Sequence, residues 1–283
     1  MSGQGSMPAS LHTPLPRDIT AYFLLTFVLS WAIEVPLVLQ AQDLIPAVVP
    51  PRLHYVASFG PLLAASMVTL ATRGPAGLGR LFSGLVRWRA RPIYWVVAVV
   101  APCTVFALIL LGAKLAEGAW PDLASLGRPD YLPALGILPT LLLWTVTFGA
   151  GEEVGWRGFA LPRLQATRSA FSASMVLGVF WAAWHLPALL YRDTYIEMGL
   201  LVIPMLLTVA VVGSTVYTWM FNGTRGSLLI PVLFHGLFDF FSVWPSGVIG
   251  PGMAMTVLMV FWAVRVFKLY GPATLAPENQ VTA

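Results

Sequence analysis

Charged residues along this chain stand almost entirely in short gaps between long apolar blocks. Inside a bilayer every backbone N–H and C=O must find its partner within the protein, so uncharged blocks of this length predict membrane-crossing helices. Eight are expected: roughly Thr20 to Gln40, His54 to Thr72, Pro92 to Gly112, a fourth beginning near Pro133, Ala170 to Leu190, Gly199 to Phe221, Ser227 to Trp244 and Gly250 to Phe267. The pattern predicts an all-α, polytopic integral membrane protein with one membrane domain over residues 19–270. Residues 1–18, rich in Ser, Gly and Pro toward their start, and residues 271–283 are expected to be disordered tails. The first apolar block is long enough to span, so it reads as an anchor and not as a removable signal peptide.

Composition agrees with that reading. Of 283 residues, 58% are apolar and only 10% charged, where a soluble domain carries about a quarter charged. The net charge of +4 is a topology signal and does not point to nucleic acid. With the N-terminus inside, all of the Lys and Arg except Arg52, Lys114, Arg128 and Arg192 fall on the inner side. Both termini are therefore expected to be cytoplasmic, in a membrane of the kind that bounds a bacterial or archaeal cell. The stretch Leu78 to Arg91 (LGRLFSGLVRWRAR) mixes basic and apolar residues. It is expected to lie on the inner membrane surface among anionic headgroups. Cys103 is the sole cysteine, which excludes an intrachain disulfide and a Cys-rich metal site.

Ionisable residues inside spans are costly and point to function. His12 falls in the tail and His54 at a helix start, and Glu34, in the first span, reads as a structural partner for another helix. The remainder form three clusters. In Gly151-Glu152-Glu153-Val154-Gly155-Trp156-Arg157, Glu153 and Arg157 share a helical face and can pair, while Glu152 points about 100° away, into the bundle. Alone this reads equally as the charged end of a span. In Trp181-Ala182-Ala183-Trp184-His185 a single histidine sits among aromatics, commonly a packing arrangement. In His235-Gly236-Leu237-Phe238-Asp239 the two ionisable groups share one face of an otherwise apolar helix. His235 is expected about 12 Å, and His185 about 22 Å, from the inner ends of their helices. For the Glu pair to meet them, the fourth helix must continue past Arg157 toward Pro162. Gly149, Gly151, Gly155 and Gly158 would let neighbouring helices approach there.

The sequence of motifs, Glu-Glu-x-x-x-Arg, aromatic-x-x-x-His and His-x-x-x-Asn/Asp, resembles the CPBP family of intramembrane proteases. That family comprises the type II CAAX prenyl endopeptidases (Ras-converting enzymes) and bacteriocin-processing or immunity relatives. The resemblance covers roughly Leu141 to Phe240 and departs at Trp181, where Phe is usual. No HExxH, GxSG or GxGD motif occurs, so other intramembrane protease classes are disfavoured. The resemblance implies an endopeptidase acting on a peptide or lipidated, CAAX-type protein substrate, in a cavity open to the cytoplasmic side. It makes Glu152, with His185, the activators of water, Glu153 the holder of the site through Arg157, and His235 and residue 239 the groups facing the oxyanion.

Asp239 complicates that last role, because an ionised Asp cannot donate a hydrogen bond. Either it is protonated, or it orients His235, or the group binds a metal. Glu152, His185 and His235 are a donor set that zinc accepts, with water in the fourth place. Zinc-dependent and metal-free glutamate mechanisms both stay open, and no other cofactor is implied. Two readings from other classes stand beside the protease: a non-catalytic member of the same fold acting as immunity factor or scaffold, and a proton-coupled transporter. The second would favour broken helices in inverted repeats, a pattern not visible here.

Overall fold

In a computed structural model of the chain, residues 17–124, 126–242 and 250–283 are described, and all of their regular structure is helical. Eight helical segments follow one another: α1 (Arg17–Ala41), α2 (Pro51–Val86), α3 (Pro92–Glu117), α4 (137–165), α5 (Ala170–Leu190), α6 (Asp193–Gly223), α7 (Leu229–Ser242) and α8 (Gly250–Thr274). Six of these are long and apolar enough to cross a membrane. The other two are the ones that carry the charged motifs. α7 is a shorter apolar helix, and the end expected for it at Trp244 lies outside the described residues. α4 holds Glu152, Glu153, Arg157 and Arg163, whose charges lower its hydropathy. The chain is a multi-pass integral membrane protein.

The bundle has an apolar core into which polar side chains also turn, and large apolar side chains cover much of its outside. On α1, Thr26, Ser30 and Glu34 recur every four residues and all are buried, while Leu24, Val28 and Val35 are exposed. Ser30 donates to Ala57 O across to α2 at 2.8 Å. A hydroxyl facing lipid would lose its partner at a cost of several kcal/mol, so this stripe fixes which face of α1 turns inward.

α4 runs through the middle, with α1–α2 on one flank and α7 on the other. Its contacts depend on missing side chains. A Cβ on Gly155 would stand 2.5 Å from Pro61 O of α2, and one on Gly149 would stand 2.6 Å from Val232 O of α7. As expected, α4 continues past Arg157, ending at Gln165, which places the Glu pair in the body of the helix.

One expectation changes at the arginine-rich end and a second gains detail. The segment after Gly271 is not a free tail: Leu275 and Ala276 are buried, and Val281 O accepts from Gln165 Nε2 at 2.9 Å. Asn222 donates to Gln165 Oε1 at 2.7 Å and to Thr274 O at 2.9 Å. Two buried amides at the ends of α4 and α6 need partners, and the C-terminal chain supplies them. The second is the basic stretch expected at the inner membrane surface, which continues α2 as far as Val86 beyond a break at Gly74–Pro75 (Gly74 φ 62°, ψ −169°). Leu81 is buried there, and Arg80, Arg87 and Arg89 are exposed. The expected N-terminal tail lies mostly outside the described residues.

Candidate active site

The Glu pair sits on a helix of uneven pitch. Two π-helical turns, Thr145–Ala150 and Trp156–Ala160, flank the α-helical stretch Gly151–Gly155. Such turns re-aim the side chains that follow, and they gather at functional sites. Here Glu152 and Glu153 leave the helix toward different neighbours, α5 and α7 respectively.

Glu153 and Arg157 are fully buried and paired, with Nη1 2.8 Å from Oε1. Arg157 also donates to Ser214 Oγ of α6 at 3.2 Å, and its guanidinium lies 4.5 Å from the Trp181 ring centroid and 4.1 Å from that of Tyr217. An ion removed from water is thus met by a carboxylate, a hydroxyl and two aromatic faces. Ser214 and Tyr217 were missed in the sequence. The signal was there as polar positions (Ser214, Thr215, Tyr217, Thr218) clustered in an apolar span.

Glu153 has a second partner. His235 Nδ1 lies 2.9 Å from the same Oε1, and since a carboxylate oxygen accepts, Nδ1–H donates. That leaves Nε2 facing Asp239, whose Oδ2 is 3.5 Å away. The ring of His235 is therefore held across helices by Glu153 at the shorter distance, with Asp239, its i, i+4 partner, on the Nε2 side. Asp239 is partly exposed, at 30% of its side chain, on a cavity wall.

Glu152 is fixed by Trp181, whose Nε1–H donates to Oε2 at 2.7 Å. His185 caps the α-helical part of α5, which ends at Trp184, three residues before Pro187. Its Nδ1 is 2.8 Å from Trp181 O, and a carbonyl can only accept, so Nδ1 carries the proton and Nε2 is free. Trp181 thus positions both groups. His185, His235 and Asp239 line one cavity of about 100 Å³, with Trp181, Tyr195 and Tyr217 beside them. Glu152 lies behind Trp181 and is not on that wall. All six residues singled out in the sequence come together in one region of the bundle.

The cavity extends to Met198, Val202, Ser242, Gly252 and Thr256, the half of the bundle remote from Arg87, Arg163, Arg225 and Arg265. Along the chain this lining reaches the ends of α6, α7 and α8 away from Arg225 and Arg265, where the resemblance implied an opening toward the cytoplasmic side. The zinc set also fails a fit test. Among the described residues no three of His, Cys, Asp and Glu come together as a metal-holding group.

Beyond the site, Glu34 and His54 are not isolated. Tyr191 Oη lies 2.6 Å from His54 Nδ1 and donates to Glu34 Oε1 at 3.2 Å. Nearby, Arg192 Nε pairs with Asp130 Oδ2 at 2.9 Å. Burial raises the Asp130 carboxyl, but Arg192 and the Thr194 hydroxyl outweigh it and hold it below the ordinary range. This pair pins the loop between α3 and α4 over the end of α5.

Residues 134–241, the span that holds every one of these motif residues, match the family model described as type II CAAX prenyl endopeptidase Rce1-like. The chain carries an Rce1-like segment. A curated relative, CAAX prenyl protease 2 of Methanococcus maripaludis, is 30% identical over 179 residues, which is 57% of this chain and 59% of that protein. The chain thus spans under two thirds of that relative's length. The Rce1-like segment runs from the start of α4 to the end of α7, so it contains the whole Glu153–Arg157–His235 network.

Proposed function

We propose that the protein is an intramembrane endopeptidase that hydrolyses a peptide bond of a membrane-associated substrate, a prenylated CAAX-type protein being the class its relatives suggest. The observation that carries this reading is the pair of imidazoles presented to one cavity, each with Nδ1 engaged, His185 with Nε2 free and His235 with Nε2 toward Asp239, beside a carboxylate held by Trp181. Amide hydrolysis needs a positioned water, a base for its proton and donors for the oxyanion. Glu152, with His185, removes the water proton as the oxygen attacks the carbonyl carbon, a step that requires Trp181 to release Glu152 toward the cavity when substrate is bound. Glu152 then returns that proton to the leaving amine nitrogen as the C–N bond breaks. His235, held by Glu153, donates from Nε2 to the oxyanion when it carries both protons. Asp239 stands where it can exchange a proton with His235 or contact the substrate. No step requires the zinc donors to converge.

The test is cleavage of a farnesylated CAAX peptide and its unmodified counterpart by the purified protein in detergent micelles. Wild type should release the terminal tripeptide, and Glu152→Gln should lose roughly a hundredfold or more of that activity, as expected when a general base is removed. Near-full activity in Glu152→Gln would remove Glu152 from the role of base. Cleavage of neither peptide would favour the non-catalytic reading.

A further inference from the structure

The opposite end of the bundle holds a second cavity, about 220 Å³ in volume, between the end of α2 and the end of α4. Arg73, Arg80, Arg87 and Arg163 line it. The backbone explains the gathering. α2 breaks at Gly74, in the left-handed region of φ, directly before Pro75, and restarts in a new direction. Arg73 stays on the spanning part while Arg80 and Arg87 ride on the part that bends beneath it. Arg163, 7% exposed, comes up from α4. The walls between them are small, with Gly77, Gly84 and Gly158 facing inward.

The charges in this cavity do not balance. Arg163 pairs with Asp18 at 2.7 Å, and Arg87 donates to Arg225 O at 2.9 Å and to Ser83 Oγ at 3.3 Å. Among the described residues neither Arg73 nor Arg80 has an acidic partner, and Asp18 is the only carboxylate paired with any of the four. Guanidinium groups offer paired N–H donors whose spacing matches phosphate oxygens, so several of them around one cavity call for a phosphate-bearing anion. The rim adds a second requirement. Val86 and Trp88, exposed at 75% and 61%, flank the lining residue Arg87 in the chain, at the far end of the segment that follows the break. Apolar and indole side chains beside a basic cavity suit the boundary between headgroups and acyl chains. A free phosphate would make no use of them.

We propose that this cavity is a binding site for the phosphate of an anionic phospholipid headgroup, with Arg73 and Arg80 as the recognising residues and Val86 and Trp88 set against its acyl chains. The site is distinct from the hydrolytic cavity and stands whether or not the hydrolysis proposed above occurs.

The experiment uses the full chain purified in detergent, with phosphatidylglycerol, phosphatidylcholine or inorganic phosphate added separately. Thermal unfolding and native mass spectrometry are the two readouts. Phosphatidylglycerol should raise the melting temperature by several degrees and remain bound as one retained lipid, and phosphatidylcholine and inorganic phosphate should do neither. Arg73→Gln/Arg80→Gln should lose both effects, whereas Arg265→Gln/Lys268→Gln, which removes the same charge elsewhere on that face, should keep them. Should the double variant express poorly, Arg80→Gln alone, read by retained lipid, should show the same loss. A lipid effect that survives in Arg73→Gln/Arg80→Gln, or that the control pair abolishes equally, overturns the proposal in favour of a diffuse basic surface. An equal effect from inorganic phosphate overturns it in favour of a soluble ligand.

Discussion

A histidine has two nitrogens, and at His235 they face different helices: Nδ1 meets Glu153 of α4 at 2.9 Å and Nε2 meets Asp239 of its own helix at 3.5 Å. The shorter contact fixes the ring, which separates the two carboxylates by experiment. Glu153→Gln should lower kcat by about tenfold or more, because an amide can turn its own N–H toward Nδ1 and misorient the ring. Asp239→Asn, beyond hydrogen-bond distance of Nε2, should keep most of the activity. The reverse order of effects would return the orienting role to Asp239. Arg157 is tied to the same carboxylate, so Arg157→Ala leaves Glu153 buried without its counter-ion and should cost about 3–5 kcal/mol of stability. Glu153→Gln/Arg157→Gln should melt higher than Arg157→Ala, and equal melting temperatures would show the pair to be energetically idle. What the sequence made legible at this scale was the local part: Glu153–Arg157 and His235–Asp239, each four residues apart on one helix. Trp181 to Glu152, Glu153 to His235 and Tyr191 to Glu34 join different helices, and no spacing rule reaches across a fold that has not yet been drawn.

Among the helices, α4 carries two π-helical turns, where α3 and α6 carry one each. Its π-helical turns were invisible in the sequence because each is a one-residue adjustment that leaves the apolar pattern intact. The glycines were visible, and their use is now specific. At Gly155 an added methyl meets the backbone oxygen of Pro61, which has little room to retreat. Gly155→Ala should therefore destabilise by about 1–3 kcal/mol, seen as a lower melting temperature in detergent, although no catalytic group is touched. Gly79→Ala, where a Cβ meets nothing within 4 Å, should be neutral or slightly stabilising. Equal behaviour of the two would mean that α2 and α4 are not packed at backbone distance. The C-terminal segment shows the opposite kind of miss. Its composition reads as polar tail, yet buried Asn222 and Gln165 recruit its backbone, a requirement set by two other helices.

At the scale of the molecule, eight helical segments bring the Arg-bearing ends together on one face, as the alternation of basic gaps had indicated. Reporters fused after residue 75 or 225, or at the C-terminus, should be active in the cytoplasm, and fusions near residue 122 or 194 should report the far side. A cytoplasmic signal near 122 would break this arrangement. The lining of the His185–His235 cavity along the ends of α6, α7 and α8 away from Arg225 and Arg265 then has a consequence for access. With the arginine-bearing ends inside, that lining is the part of the cavity nearest the outer surface. Met198→Cys, in the cavity lining, combined with Cys103→Ser, should accordingly react with a membrane-impermeant maleimide added to intact cells. Labelling that appears only after lysis would mean that the cavity is reached from the cytoplasm.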